Sequence, residues 1–134
     1  MTFQLDPRLA ADTLPVADLA LCTVRLMNDA RYPWLILVPL REDAVEIHAL
    51  AAGDRLSLTE ETARVAGALA AHAPGHKINI GALGNIVRQL HIHVVARREG
   101  DAAWPGPVWG HGAAVPYDPA EAVRIIAALR EKLA

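Results

Sequence analysis

The chain has a single cysteine, three tryptophans, two tyrosines and one phenylalanine in 134 residues, and each scarcity narrows what it can be. A lone thiol, Cys22, forms no disulfide within the chain; set in an apolar alternating run, it reads as a small buried hydrophobe. With so few aromatics the core must be built from Ala, Val, Leu and Ile, which a hydrophobic share of 53% supplies. An excess of charge is missing as well. The 13 basic and 15 acidic side chains leave a formal net charge of −2, which offers no electrostatic footprint for a nucleic-acid polymer. No run of about 18 apolar residues occurs, as a membrane-spanning helix would need. The start, Met1 to Pro7, lacks a basic stretch followed by a long apolar one. The expectation is a cytoplasmic protein with no membrane partner, folded as one domain over residues 1–134.

What is present is an ordered series of elements. Asp6-Pro7 opens a short helix to Thr13, with Asp6 at the cap and Pro7 in the first helical position, and Pro15 ends it. Leu19 to Met27 and Trp34 to Val38 read as strands, the second closed by Pro39, and the turn Asn28 to Pro33 makes them a hairpin. Glu42 to Leu50 is expected as a short helix and Ser57 to His72 as a longer one, capped by Thr59. In the longer helix Ala63, Ala66, Leu69 and Ala70 form the packing stripe, and Pro74-Gly75 ends it. Lys77 to Leu83 and Gln89 to Arg97 read as antiparallel strands joined by the turn at Gly84-Asn85, which sets Asn79 and Gly81 across from the histidines. Residues 99–117 form a loop rich in Trp, Pro and Gly, packed through Trp104, Val108 and Trp109. Asp118-Pro119-Ala120-Glu121 then opens a last helix over 118–133 in the manner of a capping box. Strands in the first and last thirds with helices between them describe an α+β domain, an antiparallel sheet with helices packed on it.

The segment Gln89-Leu90-His91-Ile92-His93-Val94-Val95 speaks most directly about chemistry. Side chains of an extended chain alternate, so Gln89, His91 and His93 share one side while Leu90, Ile92 and Val94 pack on the other. A buried row of imidazole and amide groups calls for a polar ligand, a phosphate or a metal; on a wet strand face the same row needs none.

Asn79-Ile80-Gly81, Gly84-Asn85 and this strand together resemble the signature of the histidine triad (HIT) family of nucleotide hydrolases and transferases, whose pattern alternates three histidines with apolar residues after an Asn-x-Gly element. The resemblance is specific over residues 79 to 97 and implies a HIT-like fold. It also implies a homodimer, a nucleotide as small-molecule substrate, and no cofactor or metal. His91 matches the middle histidine, the nucleophile toward the α-phosphorus, and His93 the last, a supporting group. Asn79 and Gly81 match the element that orients strand and substrate, Gly84 and Asn85 the turn whose backbone N–H groups approach phosphate, and Asn28 or Asp29 the position that touches the ribose. The implied reaction is hydrolysis of a phosphoanhydride or phosphoramidate bond at a nucleoside α-phosphate through a nucleotidyl-histidine, with a dinucleoside polyphosphate or a nucleoside phosphoramidate as substrate. The Trp-rich loop would reach toward the partner's site.

Two positions depart from the pattern. Gln89 stands where the first histidine belongs, still counted with the catalytic set, and Ile86 stands where several members carry a serine. Both changes keep open a nucleotide-binding module with little turnover. His-x-His on a strand is also a metal-ligand pair, for which His76 or His111 would have to supply a third ligand. Otherwise His48, His72 and His76 read as solvated, His111 as surface, and Trp104 and Trp109 as packing.

Overall fold

The computed structural model describes residues 2–134. Its strands are β1 (Thr13–Asp18), β2 (Cys22–Met27), β3 (Trp34–Pro39), β4 (Lys77–Gly81) and β5 (Ile92–Arg97), joined in one antiparallel sheet in the order β1-β2-β3-β5-β4. The α-helices are α1 (Pro7–Asp12), α2 (Ala52–His72) and α3 (Pro119–Leu133). The architecture is the expected α+β one.

The sheet is covered on both faces, which is why β3 and β5 are buried along their whole length. Alternation sends Leu35, Leu37, Ile92, Val94 and Ala96 toward Leu58, Val65 and Leu69 of α2 and Leu129 and Leu133 of α3. Trp34, Ile36, Val38 and Val95 point the other way, into a second core with Leu9 of α1, Tyr32 and Val108. His93 and Arg97 share that second face. The histidine strand thus lies between a helical layer and a cover made of the N-terminal segment and the Trp-rich loop.

Several boundaries differ from expectation for identifiable reasons. Asp6 caps α1, accepting from Arg8 N at 2.8 Å, but the chain enters β1 directly after it, through Pro15. An edge strand with a register shift between Pro15 and Ala17 tolerates the missing N–H. The helix expected over 42–50 is only a 3₁₀ turn at Ile47–Ala49. This stretch spends its hydrogen bonds elsewhere, Ala44 O accepting from Leu90 N at 2.9 Å. α2 starts at Ala52, so Thr59 is an internal residue whose hydroxyl bonds back to Arg55 O. Its buried residues are Leu58, Glu61, Val65, Ala68 and Leu69; of the expected stripe Leu69 is buried and Ala66 packs on the core, while Ala63 is exposed, because the larger side chains take the i, i+3, i+4 positions against the sheet. Glu61 accepts from Leu21 N and Cys22 N, both at 2.8 Å, and thereby ties the β1–β2 turn to α2. Cys22 beside it is fully buried, and burial followed by the Glu61 charge pushes its thiol pKa up. β4 stops at Gly81 and β5 starts at Ile92, which leaves 82–91 as a connecting segment. α3 begins at Pro119 after Asp118, whose side chain makes no capping bond. No helix among the described residues is long and apolar enough to cross a membrane.

Candidate active site

His91 immediately precedes β5 and His93 is its second residue, paired across the sheet with Ile36 of β3 and Gly81 of β4. Their rings stand edge to face with centroids 4.9 Å apart, each residue only 6% exposed. His91 Nδ1 lies 2.7 Å from the carbonyl oxygen of Gln89. A carbonyl only accepts, so Nδ1 carries a proton, and in the neutral ring the lone pair is on Nε2. His93 is held in the opposite sense. The indole N–H of Trp34 donates to its Nδ1 at 3.0 Å, and an indole only donates, so the proton of His93 sits on Nε2. Burial, and then the charge of His91, push the His93 pKa down to about 3, and this ring stays neutral at physiological pH. Two adjacent imidazoles therefore present one free lone pair and one N–H.

His91 borders a cleft of about 600 Å³ between the 82–91 segment and the start of α2. Leu83, Gly84 and Arg88 line one side, Ile47, His48 and Arg55 the other. Gly84 has φ +72°, a left-handed conformation that turns the backbone here, and it lines the cleft. Three of the cationic or titratable lining groups carried no signal in the sequence. Arg55 and Arg88 belong to no motif, and His48 read as a solvated residue, which its exposure matches until the cleft is seen around it.

The remaining predicted residues are placed elsewhere. The side chain of Gln89 turns to the N-terminal segment: its Oε1 accepts from Asp6 N at 2.8 Å and its Nε2 donates to Gln4 O at 2.9 Å. It borders a different cleft of about 570 Å³, with Phe3, Glu42 and Asp43. Asn79 lies opposite Val95, and its Oδ1 accepts from Arg97 Nη1 at 3.1 Å. Gly81 faces the indole of Trp109 so closely that a Cβ would come 2.9 Å from a ring carbon. Its lack of a side chain admits that indole, which also stands 5.4 Å from the His93 ring. Asn85 and Ile86 are exposed. Asn28 accepts from Tyr117 N at 2.9 Å; Asp29 pairs with Arg31 and accepts from Val115 N. The hairpin thereby anchors residues 115–117, and Asn28 lines a groove against α3 without His91 or His93.

The Trp-rich loop covers His93 because an ion pair holds its base. Arg97 and Asp101, each side chain 2% exposed, meet at 2.7 Å, and Asp101 also accepts from the backbone of Arg98 and Trp104. The Arg97 guanidinium holds the Asp101 carboxyl well below the usual range, at about 2. As to the metal alternative, no group of three or more His, Cys, Asp or Glu among the described residues is placed to hold an ion.

Comparison with known proteins adds the following. A family model described as HIT domain matches residues 9–100. Among solved structures the chain is similar to a histidine triad (HIT) protein from Sinorhizobium meliloti, 55% identical over 98% of both chains with a TM-score of 0.96. It is also similar to a histidine triad protein from Bradyrhizobium japonicum, 47% identical over 100% of both with a TM-score of 0.97. A third, from Marinobacter aquaeolei, is 42% identical over 100% of both with a TM-score of 0.95. Comparison with curated proteins finds no match.

Proposed function

Given that the chain belongs to the HIT domain family, we propose that it is a nucleotide hydrolase in which His91 attacks the α-phosphorus of a nucleotide. The observation that carries this is the hydrogen bond from His91 Nδ1 to the Gln89 carbonyl, which leaves the Nε2 lone pair free on a ring bordering an open cleft. A neutral imidazole oriented in this way is a good nucleophile near pH 7.

In the first step Nε2 forms a P–N bond while the bond from phosphorus to the leaving group breaks, the leaving group taking the electron pair and, when it is an amine, a proton from solvent. The Nδ1 proton stays on the ring, where the Gln89 carbonyl offsets the positive charge that develops. In the second step water attacks phosphorus and gives up a proton to solvent, the P–N pair returns to Nε2, and a nucleoside monophosphate departs; the net reaction consumes one water. The Nε2–H of His93, whose ring stands 4.9 Å from that of His91, donates to the oxygens on which charge builds, as does the backbone amide at Gly84, and Arg88 supplies positive charge to the leaving side. Gln89 takes part through its main chain, which is why a residue other than histidine serves at this position. Asn79 contributes through Arg97, Gly81 by admitting Trp109, and Asn28 and Asp29 by anchoring the 115–117 segment.

Turnover of a dinucleoside polyphosphate and of a nucleoside phosphoramidate by wild type and His91→Ala tests the assignment. A loss of about 10³-fold or more is expected for the variant. Equal rates would remove His91 from the chemistry. Tight nucleotide binding by wild type with no product would replace the hydrolase with a binding module.

A further inference from the structure

We infer that Trp34 is a positioning residue for His93: its indole N–H fixes the proton of His93 on Nε2 and so keeps that ring a hydrogen-bond donor toward the reacting phosphate, a role that rests on the hydrolase assignment above. The indole nitrogen has a proton to give and no lone pair to offer. A proton on His93 Nδ1, in the other tautomer or in the imidazolium, would set two donors against each other across 3.0 Å, between residues 7% and 6% exposed. Both alternatives are therefore disfavoured by the same contact. Around the ring stand Ile36 of β3, Gly81 of β4, Trp109 of the covering loop and His91. Of these only His91 has an ionisable side chain; burial first, and then a charge on His91, oppose a positive His93.

The donor is itself firmly placed. Trp34 is the first residue of β3, paired with Val95 of β5, and Tyr32 meets it edge to face at 6.2 Å. A hydrogen bond carried by the central strands holds its geometry better than one carried by a loop. The consequence is a division of labour between two identical side chains. The carbonyl of Gln89 makes His91 the electron-pair donor, and the indole of Trp34 makes His93 the proton-bearing partner.

The test reads tautomers directly. In the full-length protein labelled with ¹⁵N, long-range ¹H–¹⁵N spectra between pH 5 and 8 are expected to show His93 Nδ1 unprotonated and Nε2 protonated, without titration. A His93 ring bearing its proton on Nδ1, or titrating with a midpoint above pH 6, overturns the inference. Trp34→Phe keeps an aromatic ring and removes the donor. Its His93 should show both tautomers, and its kcat should fall about tenfold while KM stays within about twofold. A folded Trp34→Phe protein with wild-type His93 shifts and wild-type kcat would also overturn it. Should that variant not fold, the wild-type spectra alone decide. A locked His93 in a protein that turns over no nucleotide overturns the hydrolase assignment and with it the catalytic use of the lock, whereas an unlocked His93 in an active enzyme overturns only the role of Trp34.

Discussion

His91 and His93 meet at the start of β5 and share a side-chain type and near-identical burial, yet their Nδ1 partners give them opposite chemistry. For His93 this has a thermodynamic signature. Its folded pKa, about 3, lies below the ordinary 6.5, so between these values the unfolded chain holds more protons than the folded one, and stability rises with pH. The contribution is complete above about pH 6.5 and is lost as pH falls toward 3, with a slope near 1.4 kcal/mol per pH unit in mid-window. Urea unfolding at a series of pH values should therefore show a slope between pH 6 and 4.5 that is smaller by about one proton in His93→Leu than in wild type. The two-residue alternation that puts these histidines together was legible in the sequence. Trp34 was not, because periodicity tells which face a side chain takes and says nothing of which residue stands across from it, here 59 positions away.

At the scale of elements, the N-terminal segment is fastened by one side chain. Gln89 makes a two-point clamp on the main chain at Gln4 and Asp6, roughly 1 kcal/mol per hydrogen bond, while Phe3, Leu5 and Leu9 pack on the second core. Gln89→Ala removes the clamp and leaves the backbone carbonyl that orients His91. Amide exchange over residues 3–12 should quicken about tenfold or more, while kcat falls far less than in His91→Ala; a loss of turnover matching that of His91→Ala would show that the Gln89 side chain acts in the chemistry. The clamp was illegible because nothing in a single chain announces that residue 89 faces residues 4 and 6. Elements carrying their own local signals were read well: the Asp6-Pro7 start of α1, the 28–33 turn and the helix after Asp118; of the strands flanking Gly84 the cores were read, but each is shorter toward the turn, which is a connection over 82–91. Misreadings fell where tertiary contacts outrank propensity, as at Pro15 on an edge strand, the 42–50 stretch bonded to Leu90, and the first turn of α2.

For the whole molecule, the arrangement is a histidine strand inside the sheet, next to its edge strand, covered on both faces, with a cleft bordering His91 and another beside the N-terminal clamp. β4 lies at the edge of the sheet, and Ile80, Leu83 and Ile86 on and beyond it are 52%, 46% and 78% exposed. Two copies are expected to pair, so light scattering should return about twice the 14.4 kDa chain mass; a strict monomer at micromolar concentration would contradict the homodimer. The central claim concerns one covalent bond, and the most direct measurement is intact mass after rapid acid-free quenching of turnover with a nucleoside phosphoramidate. The expected result is a transient gain of one nucleoside monophosphate, located on His91 by fragmentation and missing from His91→Ala. Turnover with His91 unmodified at every time point, or with the adduct on another residue, would contradict it.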